Sequence, residues 1–266
     1  MKRKSSSCNG KGWKCPSLTH GKAWKLTCYL WCSSITVVGF IGPSGIGKTQ
    51  LFRIIAGLNN PTEGRVSING FDRSVRAGEV GVVSQNYPLF AHRSVLSNLM
   101  LADRLKDSAA AAKEKVMSYL NEFELADKAH LYPAQLSGGQ RQRIAIIQQI
   151  LSSDHFLLMD EPFSGLDIKV EEKVIQLIMK VANMDGLNTV IVVTHDVTAA
   201  AIVSDHIWAL GRDFDESGAA LPGARIKFTY DLIERGLCWD QWSPQAQIRP
   251  GMVDFIRELK SDFYKL

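Results

Sequence analysis

Between Gly42 and Thr49 the chain runs Gly-Pro-Ser-Gly-Ile-Gly-Lys-Thr, which satisfies the spacing G-x-x-x-x-G-K-[S/T]. Gly42, Gly45 and Gly47 carry no Cβ, so the backbone N–H groups of the loop, those of Ser44 and Ile46 among them, can converge on one anion, with Pro43, which has no N–H, shaping the turn. A helix N-terminus directly behind the loop adds partial positive charge. A polyphosphate suits this cradle, with Lys48 reaching the β and γ phosphates and the Thr49 hydroxyl ligating Mg²⁺. Further on, FLLMDEP (156–162) sets four apolar residues before two acids. There Asp160 would emerge at a strand end near the Mg²⁺, and Glu161 would follow as the base for an attacking water.

These residues need a strand before the loop and a helix after it. ITVVGFI (35–41) is β-branched and apolar, as in a strand buried on both faces of a parallel sheet. TQLFRIIAGL then puts Leu51, Ile54, Ile55 and Leu58 at helical spacing, and GLNNPTEG supplies the stop. GRVSINGF and EVGVVSQ read as strands, the latter ending at Gln85. From Ser94 to Gln149 the texture is helical, with a second helix beginning after LSGGQ, as in a helical subdomain inserted in the sheet. HFLLMDEP and NTVIVVTHD resume the strands around the helical KVEEKVIQLIMKVANM, and ARIKFTY is the last strand-like piece. Met252, Phe255, Ile256, Leu259 and Phe263 predict a closing amphipathic helix whose stripe is core.

Four further stretches carry a resemblance: LSGGQRQR at Leu136–Arg143, the Ser-Gln pair ending at Gln85, SGLD at Ser164–Asp167, and VVTHD around His195. Taken in their order along the chain, with Gln85 first, and over about Ile35 to Gly211, they resemble the ATP-binding cassette family, specifically the nucleotide-binding subunit of a membrane transporter. The resemblance implies an α/β P-loop NTPase core with a mostly parallel sheet and an inserted helical subdomain at about 90–150. The ATPase domain would run over 35–266, with a strand and helix extension at 213–266, behind a basic segment at 1–34.

It further implies that Ser137, Gly138 and Gly139 clasp the γ-phosphate of a nucleotide held by another subunit, with Gln140 beside them. A hydroxyl and two amides heading a helix are physically suited to an anion, and two half-sites ask for a symmetric dimer. His195 would contact the γ-phosphate and orient the water. Gln85 would sense Mg²⁺ and the γ-phosphate, and Asp167 would lie at the dimer seam. ATP hydrolysis would then drive a separate membrane permease, from the cytoplasmic face of the membrane, with an extracytoplasmic solute-binding protein as a further partner of an importer.

The chain also departs from the family pattern. Gln50 stands where a second Ser or Thr is usual, which alters contact with the α-phosphate and affects affinity more than activity. Residues 1–34 show no clear strand pair, so the adenine-stacking residue is unassigned among Trp13, Trp24, Tyr29 and Trp31, and the segment reads as an atypical beginning, mis-started or frame-altered. After Gly211 too few residues remain for the regulatory barrel of some sugar importers. YDLIERGL and the closing helix resemble cassettes for nitrate, sulfonate or similar small anions.

Composition narrows the classes. With 45% hydrophobic and 22% charged residues the chain has the make-up of a soluble globular protein. Its net charge of +4 hides a head with seven Lys or Arg and no acid, which reads as a solvated tail and not a nucleic-acid site. Cys8, Cys15, Cys28 and Cys32 lie in that head at spacings unlike a zinc ribbon, and Cys238 is far away, so reduced cytoplasmic thiols are expected. No signal peptide is read, and Leu26–Gly47, uncharged but holding Pro43 and four glycines, is not read as a membrane span. Two other readings compete: a cassette ATPase acting on nucleic acid, ribosomes or division machinery, and a nucleotide-binding regulator without turnover. The long coiled coil or second cassette of the former is missing, and Glu161 with His195 argues against the latter.

Overall fold

The computed structural model describes residues 36–64, 66, 74–76, 78–84, 88–103, 108–153, 156–165, 168–184, 189–221, 223–238 and 250–266. Gln85, Asp167, the four head cysteines and the stacking candidates therefore lie outside the described residues, as does most of GRVSINGF.

Among the described residues six strands form one sheet: β1 (Thr36–Ile41), β2 (Gly81–Val83), β3 (Phe156–Asp160), β4 (Thr189–Thr194), β5 (His206–Gly211) and β6 (Arg225–Asp231). Their order is β2-β3-β4-β1-β5-β6, all parallel except the β5–β6 pair. The helices are α1 (Lys48–Ile55), α2 (Val95–Asp103), α3 (Ala109–Glu122), α4 (Gly138–Ser152), α5 (Ile168–Met184), α6 (Val197–Val203) and α7 (Met252–Phe263). Helices α2, α3 and α4 all fall between β2 and β3, as expected of a helical insertion.

Both faces of the sheet are covered over β1, β3, β4 and β5, whose strands are accordingly largely apolar, whereas the edge strand β6 is mostly exposed or half-buried. Val38, Phe40, Leu158, Ile191 and Val193 point to the face carrying Leu51, Phe52 and Ile55 of α1, where Trp208 meets Phe40 edge-on at 5.0 Å. Val37, Leu157, Met159, Val190 and Val192 point the other way, into a cluster with Ile144, Ile146 and Ile147 of α4 and Ile178 of α5. Each such fully buried aliphatic side chain contributes about 1.5–3 kcal/mol. The consequence is that α1 and α4 sit on opposite faces of the sheet.

Two sequence expectations are corrected. Leu58 is not part of the α1 stripe: the helix ends at Ile55, Gly57 turns left-handed (φ 69°), and the Leu58 N–H bonds back to Arg53. This αL ending leaves Leu58 53% exposed, and Phe52 is buried within α1. Likewise α4 does not begin after LSGGQ but at Gly138, because Ser137 caps it: its hydroxyl accepts from the Gln140 N–H while the Gln140 side chain accepts from the Ser137 N–H.

The sequence reading also passed over β5 and α6. His206–Gly211 is buried along its whole length and pairs with β1 on one side and β6 on the other, making ARIKFTY an antiparallel edge strand. The closing helix α7 is present, with Met252, Phe255 and Leu259 buried and Ile256 and Phe263 partly so, beside a partly buried Cys238. Among the described residues no helix is long and apolar enough to cross a membrane.

Candidate functional site

The C-terminal ends of β3, β4 and β1 lie side by side. Asp160 and Phe40 both pair with Val193, and Ile41 pairs with Thr194. One step beyond that row stand Glu161, His195 and the 42–49 loop, in the crevice where parallel α/β sheets bind ligands.

Gly47 caps α1 at φ 105° and Gly45 sits at φ 76°, conformations that an L side chain rarely adopts. Gly42 is constrained from outside: a Cβ there would lie 2.9 Å from the Leu210 carbonyl oxygen of β5. Ile46 is buried beneath the loop, Pro43 is half-buried, and Ser44, Thr49 and Gln50 face solvent. Gln50 Oε1 is 3.5 Å from Asn59 Nδ2, at the outer limit of a hydrogen bond.

Lys48 is buried, and its Nζ donates to the carbonyls of Gly42 (2.8 Å) and Pro43 (3.2 Å). It also lies 3.7 Å from Glu161 Oε1. Burial holds the Lys48 ammonium below the usual lysine range, and the charges of Glu161 and Asp160 only partly offset this. Asp160 is pushed up by its own burial and then by the Glu161 charge, against Lys48 and Arg53.

Glu161 has φ 49°, unusual for a residue with a side chain, and its N–H donates to the Val193 carbonyl at 2.8 Å. Its Oε2 takes the Thr194 hydroxyl at 3.1 Å, the His195 N–H at 3.3 Å and His195 Nδ1 at 2.8 Å. With Nδ1 donating, Nε2 is the ring atom left for a further contact. So Lys48, Glu161 and His195, far apart in sequence, form one connected cluster beside Asp160.

A family model described as ABC transporter matches residues 29–164, just over half of the chain. The chain belongs to the ABC transporter family. Among its curated relatives is the sulfate/thiosulfate import ATP-binding protein CysA of Vibrio vulnificus, 41% identical over 66% of this chain and 53% of that protein. The Escherichia coli K12 protein of the same name is 40% identical over 64% of this chain and 49% of its own length. This ABC chain thus spans about half the length of the curated relatives it matches. A solved dimeric ATP-binding cassette, in a post-hydrolysis state bound to ADP and Pi, is 29% identical with a TM-score of 0.60, covering 79% of this chain and 95% of that one.

The other predicted half-site of this ABC chain stands apart. Ser137, Gly138 and Gly139 are exposed at the head of α4, and the side chains of Ser137 and Gln140 bond to each other's backbone. Since α4 packs on the face opposite α1, the fold does not fold these residues over the 42–49 loop.

Two contacts escaped the sequence reading. Thr194 precedes His195 in VVTHD, and a buried hydroxyl at a strand end next to a candidate histidine was the available signal. Arg212, directly after β5, donates from Nη2 to the Gly45 carbonyl at 3.2 Å. Nothing local in the sequence indicates that contact, because the two residues meet only through the β1–β5 pairing.

Proposed function

We propose that this chain is the ATP-hydrolysing subunit of an ABC import system, coupling nucleotide turnover to solute passage through a separate membrane permease. The observation that carries the reading is the Glu161 carboxylate, held between His195 and the loop lysine at the ends of three adjacent parallel strands. The Gly42–Gln50 loop grips the triphosphate, and Lys48 exchanges its carbonyl partners for the β and γ phosphates. Thr49 and Asp160 would hold Mg²⁺. Their hydroxyl and carboxylate oxygens are the hard donors that ion accepts, and no cage of three or more His, Cys, Asp or Glu exists among the described residues to compete. When bound, the ion neutralises charge on the phosphate oxygens.

Hydrolysis proceeds by positioning. A water held by Glu161 attacks the γ-phosphorus, the new O–P bond forms as the bond to the β-phosphate oxygen breaks, and ADP departs with that electron pair. Glu161 takes the water's proton while His195 orients the group. Ser137, Gly138, Gly139 and Gln140 act on the nucleotide of a second copy, which the opposite-face packing of α1 and α4 supports. Gln85 and Asp167 keep the sensing and seam roles that family membership suggests. The cell setting is the inner face of the membrane, beside the permease, with a solute-binding protein on the far side.

The cargo is a small oxyanion. The named function of the sulfate/thiosulfate importers supports that class, and the nitrate or sulfonate expectation falls within it. Steady-state phosphate release by the wild type and by Glu161→Gln, with and without Mg²⁺, tests the catalytic part. Wild-type turnover should need Mg²⁺ and fall about 10²–10⁴-fold in the variant. Equal background rates in both would leave a protein that only binds nucleotide. Sulfate-stimulated turnover in a complex co-purified with a multi-span membrane protein tests the transport part.

A further inference from the structure

The two oxygens of Glu161 have unequal surroundings. Oε2 collects three donors: the Thr194 hydroxyl, the His195 N–H and His195 Nδ1. Among the described residues Oε1 faces Lys48, at 3.7 Å, an ion pair longer than a normal hydrogen bond. Thr194 is completely buried at the end of β4 and its hydroxyl is doubly committed. It accepts from the Asp196 N–H at 3.0 Å, which occupies a lone pair, and so its single proton goes to Oε2. The Thr194 side chain is fully buried, whereas the His195 side chain is 54% exposed.

We propose that Thr194 is a positioning residue that divides the labour between the carboxylate oxygens, anchoring Oε2 so that Oε1 receives the attacking water and its proton. Without this anchor the carboxylate can rotate, and a water held by a rotating base is misplaced relative to the phosphorus. The inference rests on the reading of Glu161 as the base.

The test uses the full chain with Mg-ATP and compares Thr194→Val, which removes the hydroxyl at nearly constant shape, with Thr194→Ser, which restores it. The valine variant should lose kcat about 10- to 100-fold while KM and the affinity for radiolabelled ATP stay within about twofold, and serine should recover the wild-type rate. In a Glu161→Gln background the valine change should cost nothing further. If valine prevents folding, Thr194→Ala provides the same comparison with serine. Undiminished kcat in the folded Val or Ala variant overturns the role of Thr194, as does serine failing to rescue. A Glu161→Gln chain as active as wild type instead overturns the reading of Glu161 itself, so the two failures are distinguishable.

Discussion

His195 Nδ1 lies 2.8 Å from Glu161 Oε2, a contact between the end of β4 and the turn after β3 that joins the two residues into one hydrogen-bonded pair. Groups that act as a unit lose function non-additively. His195→Ala should therefore lower kcat by about 10²-fold or more and leave ATP binding intact, and the double variant with Glu161→Gln should be no slower than Glu161→Gln alone. Phosphate release measured on all four proteins decides it, and multiplying losses would mean the two residues work separately.

Asp160 stands at a cost to the fold. Burial raises its pKa above 3.8, so the folded state binds the proton more tightly than the unfolded chain does. At low pH both states are protonated and no penalty exists. As pH rises past 3.8 the unfolded chain ionises first, and stability falls until the folded carboxyl has ionised too. Asp160→Asn should thus raise the melting temperature of the nucleotide-free protein at neutral pH, by about 2–4 °C per kcal/mol relieved. The gain should vanish under acid, and Mg²⁺-dependent turnover should be lost. Calorimetry at pH 4 and pH 7.5 reads the difference.

Two loop glycines should fail in different ways. Gly42→Ala drives a methyl against the Leu210 carbonyl at 2.9 Å, a backbone atom that cannot yield without moving β5, so ATP binding should weaken by about tenfold or more. Gly45→Ala meets no protein atom and carries the strain of φ 76°, about 1–2 kcal/mol. Titration with ATP should rank Gly42→Ala as the more damaging.

Ser137→Ala removes the cap of α4, which should lower stability by about 0.5–2 kcal/mol. Because α4 lies across the sheet from the phosphate loop, ATP affinity of the single chain should not change. ATP-dependent dimerisation, followed by light scattering in a Glu161→Gln background, should be impaired. A drop in the single chain's own ATP affinity would place Ser137 in the near site.

Much of this was legible from residues alone, wherever neighbours in the chain share the constraint. The 42–49 loop, the apolar runs of β1, β3 and β4, and the acids after β3 are local patterns, since glycine tolerance, strand burial and helix polarity act over a few residues. Strand β5 was not legible: HIWALG has no alternation and opens with a histidine, and it is a strand because β1 and β6 flank it. Leu58 looked like core by spacing, and one left-handed glycine removed it.

The order of chemical groups along the chain therefore specifies the glycine loop and which strand ends carry acids, because such turns and strand ends are built from contiguous backbone. Which carboxylate oxygen is anchored, which carbonyl crowds Gly42, and why Ser137 faces away from its own loop depend on strand register and on which sheet face each helix covers. Those are outcomes of packing between segments tens of residues apart or more, where periodicity has no reach.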